Sequence, residues 1–474
     1  MDRLRPRDLS LLATEAQTPV HNATVEIFEG AGSGTGLTHE RLTTLVAERI
    51  AFVPRYRQRL QEVPGGLAAP AWVDDTRFDL AYHVRRSALP RPGGEDQLRE
   101  LVARIVSRPL DRSRPLWELY LVEGLEGDRV ALLSKSHPVL ADGVHTVDLA
   151  QVLIDADAED RSLGDPDPWT PRSRPGTAAT TLSAVRDTVR RPYTGVETLT
   201  GAGAGALRGL AGGARRVAGI TGALGGRTPT STSPVTRPLS QQRRLVLART
   251  DLAVLREVRE AHGGSVNDVV LAVVAGGLRG WLMTRSESMG GIRKLRALVP
   301  LSVFDDELEA TSLGSQIAGH LVDLPVGEPN PVLRLHQVSY SFKAHREGGR
   351  AVAARRLVST AGFAPSTYHA LGSRLVAAER SSHFDLSVTN VPGPQQPRYA
   401  AGARLLATYP VPPLMPDHAL AIGVTSYDGG VHFGVTTDRD ALPDADVLGQ
   451  CLLEAVDELV DSARNAGSRA PRGR

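Results

Sequence analysis

Ser134-Lys135-Ser136-His137-Pro138-Val139-Leu140-Ala141-Asp142-Gly143 follows an alternating apolar run, Arg129-Val130-Ala131-Leu132-Leu133, and precedes a helical pattern. It therefore stands at the end of a strand, and it brings a titratable ring, a carboxylate and a turn glycine together. Gly143 permits a left-handed turn, Asp142 can pin the loop through a charge-assisted bond to an arginine, and His137 can then face a pocket. The same spacing equally fits a solvated Asp-Gly turn beside a satisfied histidine.

Towards the N-terminus, residues 21–28 alternate apolar side chains and predict a strand. Thr38 caps a predicted helix with Leu42, Leu45 and Val46 on one stripe, and Pro54 marks its end. Gln97 to Val106 is helical, with Leu98, Leu101, Val102 and Ile105 on one face. Arg114-Pro115-Leu116-Trp117-Glu118 turns into a strand ending near Val122, residues 129–136 form the next strand, and Val144 to Ile154 a helix behind the motif. This order predicts a layered α/β unit over residues 1–160. Residues 161–240 are a crossing linker, first Pro-rich and then Ala/Gly-rich from Leu199 to Gly226. Its arginines leave a second reading open, a basic segment resting on an anionic lipid surface.

Residues 241–474 form a second mixed unit. Arg243 to Leu247 is a strand and Leu252 to Ala261 a helix. Val266 to Val274 is a nearly all-apolar helix that the Asn267-Asp268 pair can cap. Leu298-Val299-Pro300-Leu301-Ser302 is a buried strand with a proline-made break. Phe384 to Pro394 is a strand closed by a hard turn. Ala419 to Tyr427 and Val431 to Thr436 pair around Asp428-Gly429-Gly430, and Asp446 to Ala463 closes the chain as an amphipathic helix.

Composition narrows the function classes. The net charge is only +2, which argues against a dedicated nucleic-acid binder. Cys451 is the single cysteine, so no intramolecular disulfide is possible and a reducing compartment fits. The N-terminal residues lack a secretory h-region, and no apolar run approaches the roughly 20 residues that span a bilayer. No spacing of His with Asp or Glu reads as a metal site. A cytoplasmic protein, soluble or peripherally bound, is expected.

Taken in order, Arg114-Pro115-Leu116-Trp117-Glu118, the His137 to Gly143 stretch, Asn267-Asp268, Leu298 to Ser302, Val388-Thr389-Asn390-Val391-Pro392-Gly393-Pro394 and Thr425-Ser426-Tyr427 make the chain resemble the bacterial wax ester synthase/diacylglycerol acyltransferase family. That family is kin to peptide-synthetase condensation domains and chloramphenicol acetyltransferase. The resemblance runs over nearly the whole chain. It implies two acetyltransferase-like α/β domains with a tunnel between them, and an O-acyltransferase that moves a fatty acyl group from acyl-CoA to diacylglycerol or a fatty alcohol. No cofactor is implied, since acyl-CoA is a substrate; contact with a membrane or lipid droplet rests on the second reading of the basic linker. The resemblance points to Asn267, Asp268, Ser302 and Asn390 as substrate-binding positions.

In the family motif two adjacent histidines precede three variable residues and Asp-Gly, and the second histidine is the general base. Aligned on Asp142-Gly143, His137 takes the first position and Pro138 the second. Proline has no titratable group and no N–H, so it can neither take the acceptor's proton nor donate to an oxyanion. The family's Leu-Gly-Asn is altered too, to Leu313-Gly314-Ser315. Three readings follow: His137 or His145 replaces the base, with Asp142 and Gly143 shaping the loop; the protein binds acyl-CoA, lipid or a partner with weak or no turnover; or substrate or product supplies the base. His418 is a further histidine within reach of the tunnel, read as an ordinary loop residue.

Overall fold

The computed structural model describes residues 2–4, 6–15, 18–63, 69–140, 149–159, 169–172, 233–285, 292–302, 317–346 and 384–469. The first half runs α1 (Pro6–Glu15), β1 (Asn22–Glu29), α2 (His39–Arg49), β2 (Gln58–Gln61), β3 (Ala71–Asp74), α3 (Leu80–His83), β4 (Val84–Ala88), α4 (Glu95–Val106), β5 (Trp117–Leu125), β6 (Arg129–Ser136) and α5 (Leu149–Leu153). The second half runs β7 (Arg243–Asp251), α6 (Leu252–His262), α7 (Val266–Thr284), β8 (Leu295–Ser302), β9 (Ile317–Leu324), α8 (Pro331–Arg346), β10 (Leu386–Pro392), β11 (Tyr399–Ala400), β12 (Ala403–Val411), β13 (Leu420–Tyr427), β14 (Gly430–Asp438) and α9 (Ala445–Arg469).

Two six-stranded sheets carry the fold, in the orders β11-β12-β1-β6-β5-β4 and β7-β14-β13-β10-β8-β9. β11 and β12 come from the second half of the chain and complete the first sheet, so the chain crosses between the units more than once. β1 is central, flanked by β12 and β6, both antiparallel to it. A central strand is covered on both faces, and residues Asn22 to Phe28 are all buried. One face carries Ala23, Val25 and Ile27, which share a core with Leu98, Val102 and Ile105 of α4 and with Leu245 and Leu247 of β7. That core is the seam between the halves. At it Arg243 of β7 pairs with Asp438 of the neighbouring β14 at 3.1 Å, and its other guanidinium nitrogen reaches across to donate to Thr18.

The seam is tight where β12 crosses the second sheet. Gly423 and Gly434 face each other across β13 and β14. A Cβ at Gly434 would stand 1.6 Å from the carbonyl oxygen of Pro410, and one at Gly423 would meet the Pro410 ring at 2.9 Å, so only glycine admits the crossing strand. The β13–β14 turn is the two-residue type that Asp-Gly favours, with φ of 43° at Asp428 and 79° at Gly429.

Thr38 caps α2, its side chain accepting from Arg41 N, and Leu42, Leu45 and Val46 are buried as their spacing requires. Three local expectations change. The cap of α7 is Ser265; its side chain accepts from Asp268 N while Asp268 Oδ2 accepts from Ser265 N, a reciprocal box in which Asp268 is the third helical residue. Pro300 makes no break: β8 runs through it and pairs with β9 as far as Ser302, while its pairing with β10 is made at Ala297 and Leu298. The missing N–H of Pro300 thus falls where β8 has left β10. The apolar run in α7 extends to a 19-residue helix long and apolar enough to cross a bilayer, yet Val269 to Leu278 are wholly buried. It is the core helix of the second half, packed with Leu448, Leu452, Val456 and Leu459 of α9.

Candidate active site

β6 ends at Ser136, and His137 continues it by one bond, its N–H donating to Leu116 O at 2.9 Å. The chain then closes a single 3-10 turn, Pro138–Leu140, with Leu140 N donating to His137 O. Pro138 opens that turn, where its missing N–H leaves no gap. Asp142, Gly143 and His145 lie outside the described residues, as do Leu313 to Ser315, most of 161–240 and the segment from Leu199 to Gly226. Of the helix expected over 144–154, Leu149–Leu153 is described.

His137 is fully buried. Its Nδ1 accepts from Val139 N at 3.2 Å, so the proton sits on Nε2, which lies 3.7 Å from Glu15 Oε2. Glu15 also takes two bonds from Arg112, at 2.7 and 2.9 Å. His21 stands edge-on to His137 with ring centres 5.8 Å apart, its Nε2 between Leu110 N–H at 3.2 Å and Glu15 Oε1 at 3.3 Å. That nitrogen can accept from the first or donate to the second, not both. Burial, reinforced by the charge on Lys135, holds the His21 imidazole well below its ordinary range and keeps it neutral.

Donor atoms of Glu15, His21 and His137 fall within 4.8 Å of one another, a grouping the sequence spacing did not suggest. A metal would have to displace the Val139 bond or the Leu110 bond, in a place where Arg112 and Lys135 already repel cations. His137 Nδ1 and His21 Nε2 face backbone N–H groups and Glu15 Oε2 takes Arg112, while Glu15 Oε1 and His21 Nδ1 have no hydrogen bond among the described residues; the cluster reads as a prop behind the motif.

Lys135 is buried beside it. Its ammonium donates to Ile105 O and Arg108 O, at 3.1 and 2.6 Å, which ties the end of α4 to β6, and it lies 3.7 Å from Glu118 Oε2. Desolvation outweighs the attraction of Glu118 and lowers its pKa to about 8. Glu118 is itself held by Arg85 at 3.0 Å and by the Tyr120 hydroxyl at 2.9 Å.

On the other face of the same sheet lies a cavity. Glu26, Ser134 and Ser136 line it together with Tyr56, Trp117, Leu119, Leu132, Leu149, Leu153 and Ile154. Trp117 forms part of its wall and is held by its indole N–H to Tyr56 O at 2.7 Å and by stacking on His83, ring centres 4.4 Å apart. His83 Nδ1 bonds Trp117 O at 2.7 Å, and burial lowers the His83 pKa to about 4.

In the second half, Asn390 Nδ2 donates to Asn267 Oδ1 at 3.0 Å, which brings two of the four positions named from the sequence together and ties β10 to the start of α7. Asp268 is occupied by the α7 cap and by the Ser339 hydroxyl at 3.0 Å. Ser302 ends β8 opposite Ile317. His418 is a strut: its Nδ1 and Nε2 face Pro416 O and Phe384 O at 2.7 and 3.0 Å, and its ring stacks on Phe384. Sequence reading missed Glu15, His21, Arg112 and Glu26. The available signal for Glu26 was its place in Asn22, Thr24, Glu26, a polar set alternating along a strand whose other set is apolar.

Two family models match the chain: the wax ester synthase/diacylglycerol acyltransferase catalytic domain over residues 4–270, and the C-terminal domain of the same family over residues 313–460. A probable diacylglycerol O-acyltransferase of Mycobacterium tuberculosis, tgs1, is 32% identical over 446 residues, covering 93% of this chain and 92% of that protein. A second from the same organism, tgs3, is 41% identical over 264 residues, covering 55% of this chain and 96% of its own length. Among solved structures, the wax ester synthase/diacylglycerol acyltransferase of Marinobacter aquaeolei VT8 superposes with a TM-score of 0.66 at 26% identity, over 98% of this chain and all of that one. The first condensation domain of the calcium-dependent antibiotic synthetase shares the fold, with a TM-score of 0.52 at 15% identity over 99% of this chain and 98% of that domain.

Proposed function

This chain belongs to the wax ester synthase/diacylglycerol acyltransferase family, and from that premise we propose that it is an acyl-CoA-dependent O-acyltransferase, moving a fatty acyl group to diacylglycerol or a fatty alcohol. The observation that carries the reading is the match to relatives of that activity along both halves of the chain. An acceptor hydroxyl attacks the thioester carbonyl, and coenzyme A leaves as the thiol. Because the acceptor is insoluble in water, the protein works at the cytoplasmic face of a membrane or on a lipid droplet, bound peripherally.

One observation favours a second reading, a homologue that binds acyl-CoA or lipid without turnover: the base position is Pro138, and the neighbouring His137 is fully buried against Glu15. Labelled acyl-CoA supplied with diacylglycerol and with hexadecanol decides between them, using wild type and Pro138→His. Transfer by the wild type to either acceptor supports the enzyme. A silent wild type that binds acyl-CoA, beside an active Pro138→His, establishes the second reading. We propose that His137 positions the motif, since its Nε2 is turned to Glu15 and away from any cavity described.

A further inference from the structure

The chain leaves the first half at Asp155 and comes back to it at Trp169. Asp155 exchanges two backbone hydrogen bonds with Tyr399, at 2.7 and 3.1 Å, and its carboxylate takes Arg49 at 2.7 and 2.9 Å. A linker that only had to reach the second half could run on from there. Residues 169–172 instead lie against β2, β3 and the turn before α3. Arg172 N donates to Asp74 Oδ2 at 3.0 Å, while Asp74 Oδ1 accepts from Gln58 Nε2 at 2.9 Å, so one carboxylate joins β2, β3 and the linker. The indole of Trp169 covers the Arg57 guanidinium, 4.4 Å from the ring centre. Arg57 is 8% exposed, and its Nε has no hydrogen-bond partner. A buried cation needs a partner, and the face of an indole is one. Ordering a linker costs conformational entropy that such contacts offset, and Pro168 and Pro171, close to the ring in sequence, reduce the freedom to be lost.

Trp169 is also the outer ring of a stack that ends beside the motif. It stands edge-on to Phe78, ring centres 6.5 Å apart. Phe78 lies on His83 at 5.2 Å, and His83 on Trp117 at 4.4 Å. Trp117 pairs with Ser136 across β5 and β6, and the carbonyl before it, Leu116 O, takes the His137 N–H. Phe78 is only half-buried, so without Trp169 the outer end of the stack meets water. We propose that Trp169 is a positioning residue: brought in by the linker, it closes the stack and holds Trp117, and with it the strand ends that carry His137, in the arrangement acyl transfer uses. The effect on rate rests on the acyltransferase reading above; the hold on Trp117 does not. Packed rings transmit a shift only by contact, and each ring of this stack meets the next.

The test uses the full-length protein. Trp72 and Trp281 are replaced by phenylalanine, and Trp169 by phenylalanine or by alanine, which leaves Trp117 as the only tryptophan in both forms. Phenylalanine keeps a ring over Arg57 and against Phe78; alanine keeps neither. Acrylamide should quench Trp117 several-fold more efficiently in the Trp169→Ala form than in the Trp169→Phe form, with the thermal midpoints alike. Rates are measured in otherwise wild-type protein, with labelled acyl-CoA and dioleoylglycerol or hexadecanol. There Trp169→Ala should lower kcat by about 10- to 100-fold and leave the KM for acyl-CoA in place, and Trp169→Phe should keep most of the rate. Equal quenching in the two forms overturns the proposal, whatever the rates. So does a Trp169→Ala enzyme that keeps more than about half of the wild-type kcat, since Trp169 would then tether the linker and nothing more. A large fall in the thermal midpoint of Trp169→Ala also overturns it, because the ring would then hold the fold as a whole. If the wild type turns over neither acceptor, the acyltransferase reading falls, and quenching alone decides whether Trp169 holds Trp117.

Discussion

The first half buries two sets of ionisable side chains beside one motif, and they are built differently. Behind the motif, Glu15, His21, His137, Arg112 and Lys135 bond or pair with one another and with the backbone of 105–110 and 139, while Glu15 Oε1 and His21 Nδ1 have no hydrogen bond among the described residues. In front of it, Glu26, Ser134 and Ser136 meet a cavity. The rear set has the residue types of a catalytic or metal centre and the connectivity of a brace. The front set has the composition of ordinary strand sequence, and it borders a cavity. Burial of a charge signals chemistry only where the neighbours leave something for a ligand to do.

If the rear set is a brace, its charges should govern stability against pH. Lys135 has its pKa depressed to about 8 in the folded protein against an ordinary 10.5. Between those values the unfolded chain holds a proton that the folded chain has released, so stability rises with pH across that window. Urea titrations should show wild type gaining up to about 3 kcal/mol on Lys135→Met from pH 8 to 10.5. On the acid side, His21 and His83 are depressed, the latter to about 4. Below the ordinary 6.5 the unfolded chain binds protons that the folded one refuses, and stability should fall. His21→Gln should make that fall shallower. A flat curve from pH 4 to 10.5 would break the comparison.

The next effect is smaller and concerns Glu15. Glu15→Ala deprives Arg112, His21 and His137 of a shared partner. Arg112 is 42% exposed and can turn to water, so the loss should be about 2 kcal/mol rather than the 3–5 of a sealed pair. A loss under about 0.5 kcal/mol would show that the rear set is no brace.

The strands were legible because their side chains alternate, and the hairpin because Asp428-Gly429 carries two positive φ angles that few other pairs adopt. The resemblance singled out His137, Asn267 and Asn390, and the contact between the last two came only with the structure. Nor could the resemblance show that His137 turns to Glu15, because the chain from residue 16 to residue 136 has to fold before the two meet. Pro300 reads as a breaker by propensity, yet strand pairing overrides it once one side of β8 no longer needs its N–H. Glu26 was hidden for a related reason. In an edge strand or a one-faced sheet, Asn22, Thr24 and Glu26 would be the solvent side; only the arrival of β12 from residue 403 onward makes β1 central and buries them.

Thr408 offers the smallest effect. Its hydroxyl is buried beside Glu26 and has no hydrogen-bond partner among the described residues. Thr408→Val keeps the shape and removes an unsatisfied polar group, so the empty protein should be unchanged or up to about 1 kcal/mol more stable in urea. If that hydroxyl instead serves the acceptor's oxygens, the KM for diacylglycerol should rise several-fold while the KM for acyl-CoA stays put. A gain in stability with no change in either constant would show that the Thr408 hydroxyl does not serve the acceptor. A loss of stability would mean that Thr408 is bonded in the protein at rest, and that the polar face in front of the motif is a brace like the one behind it.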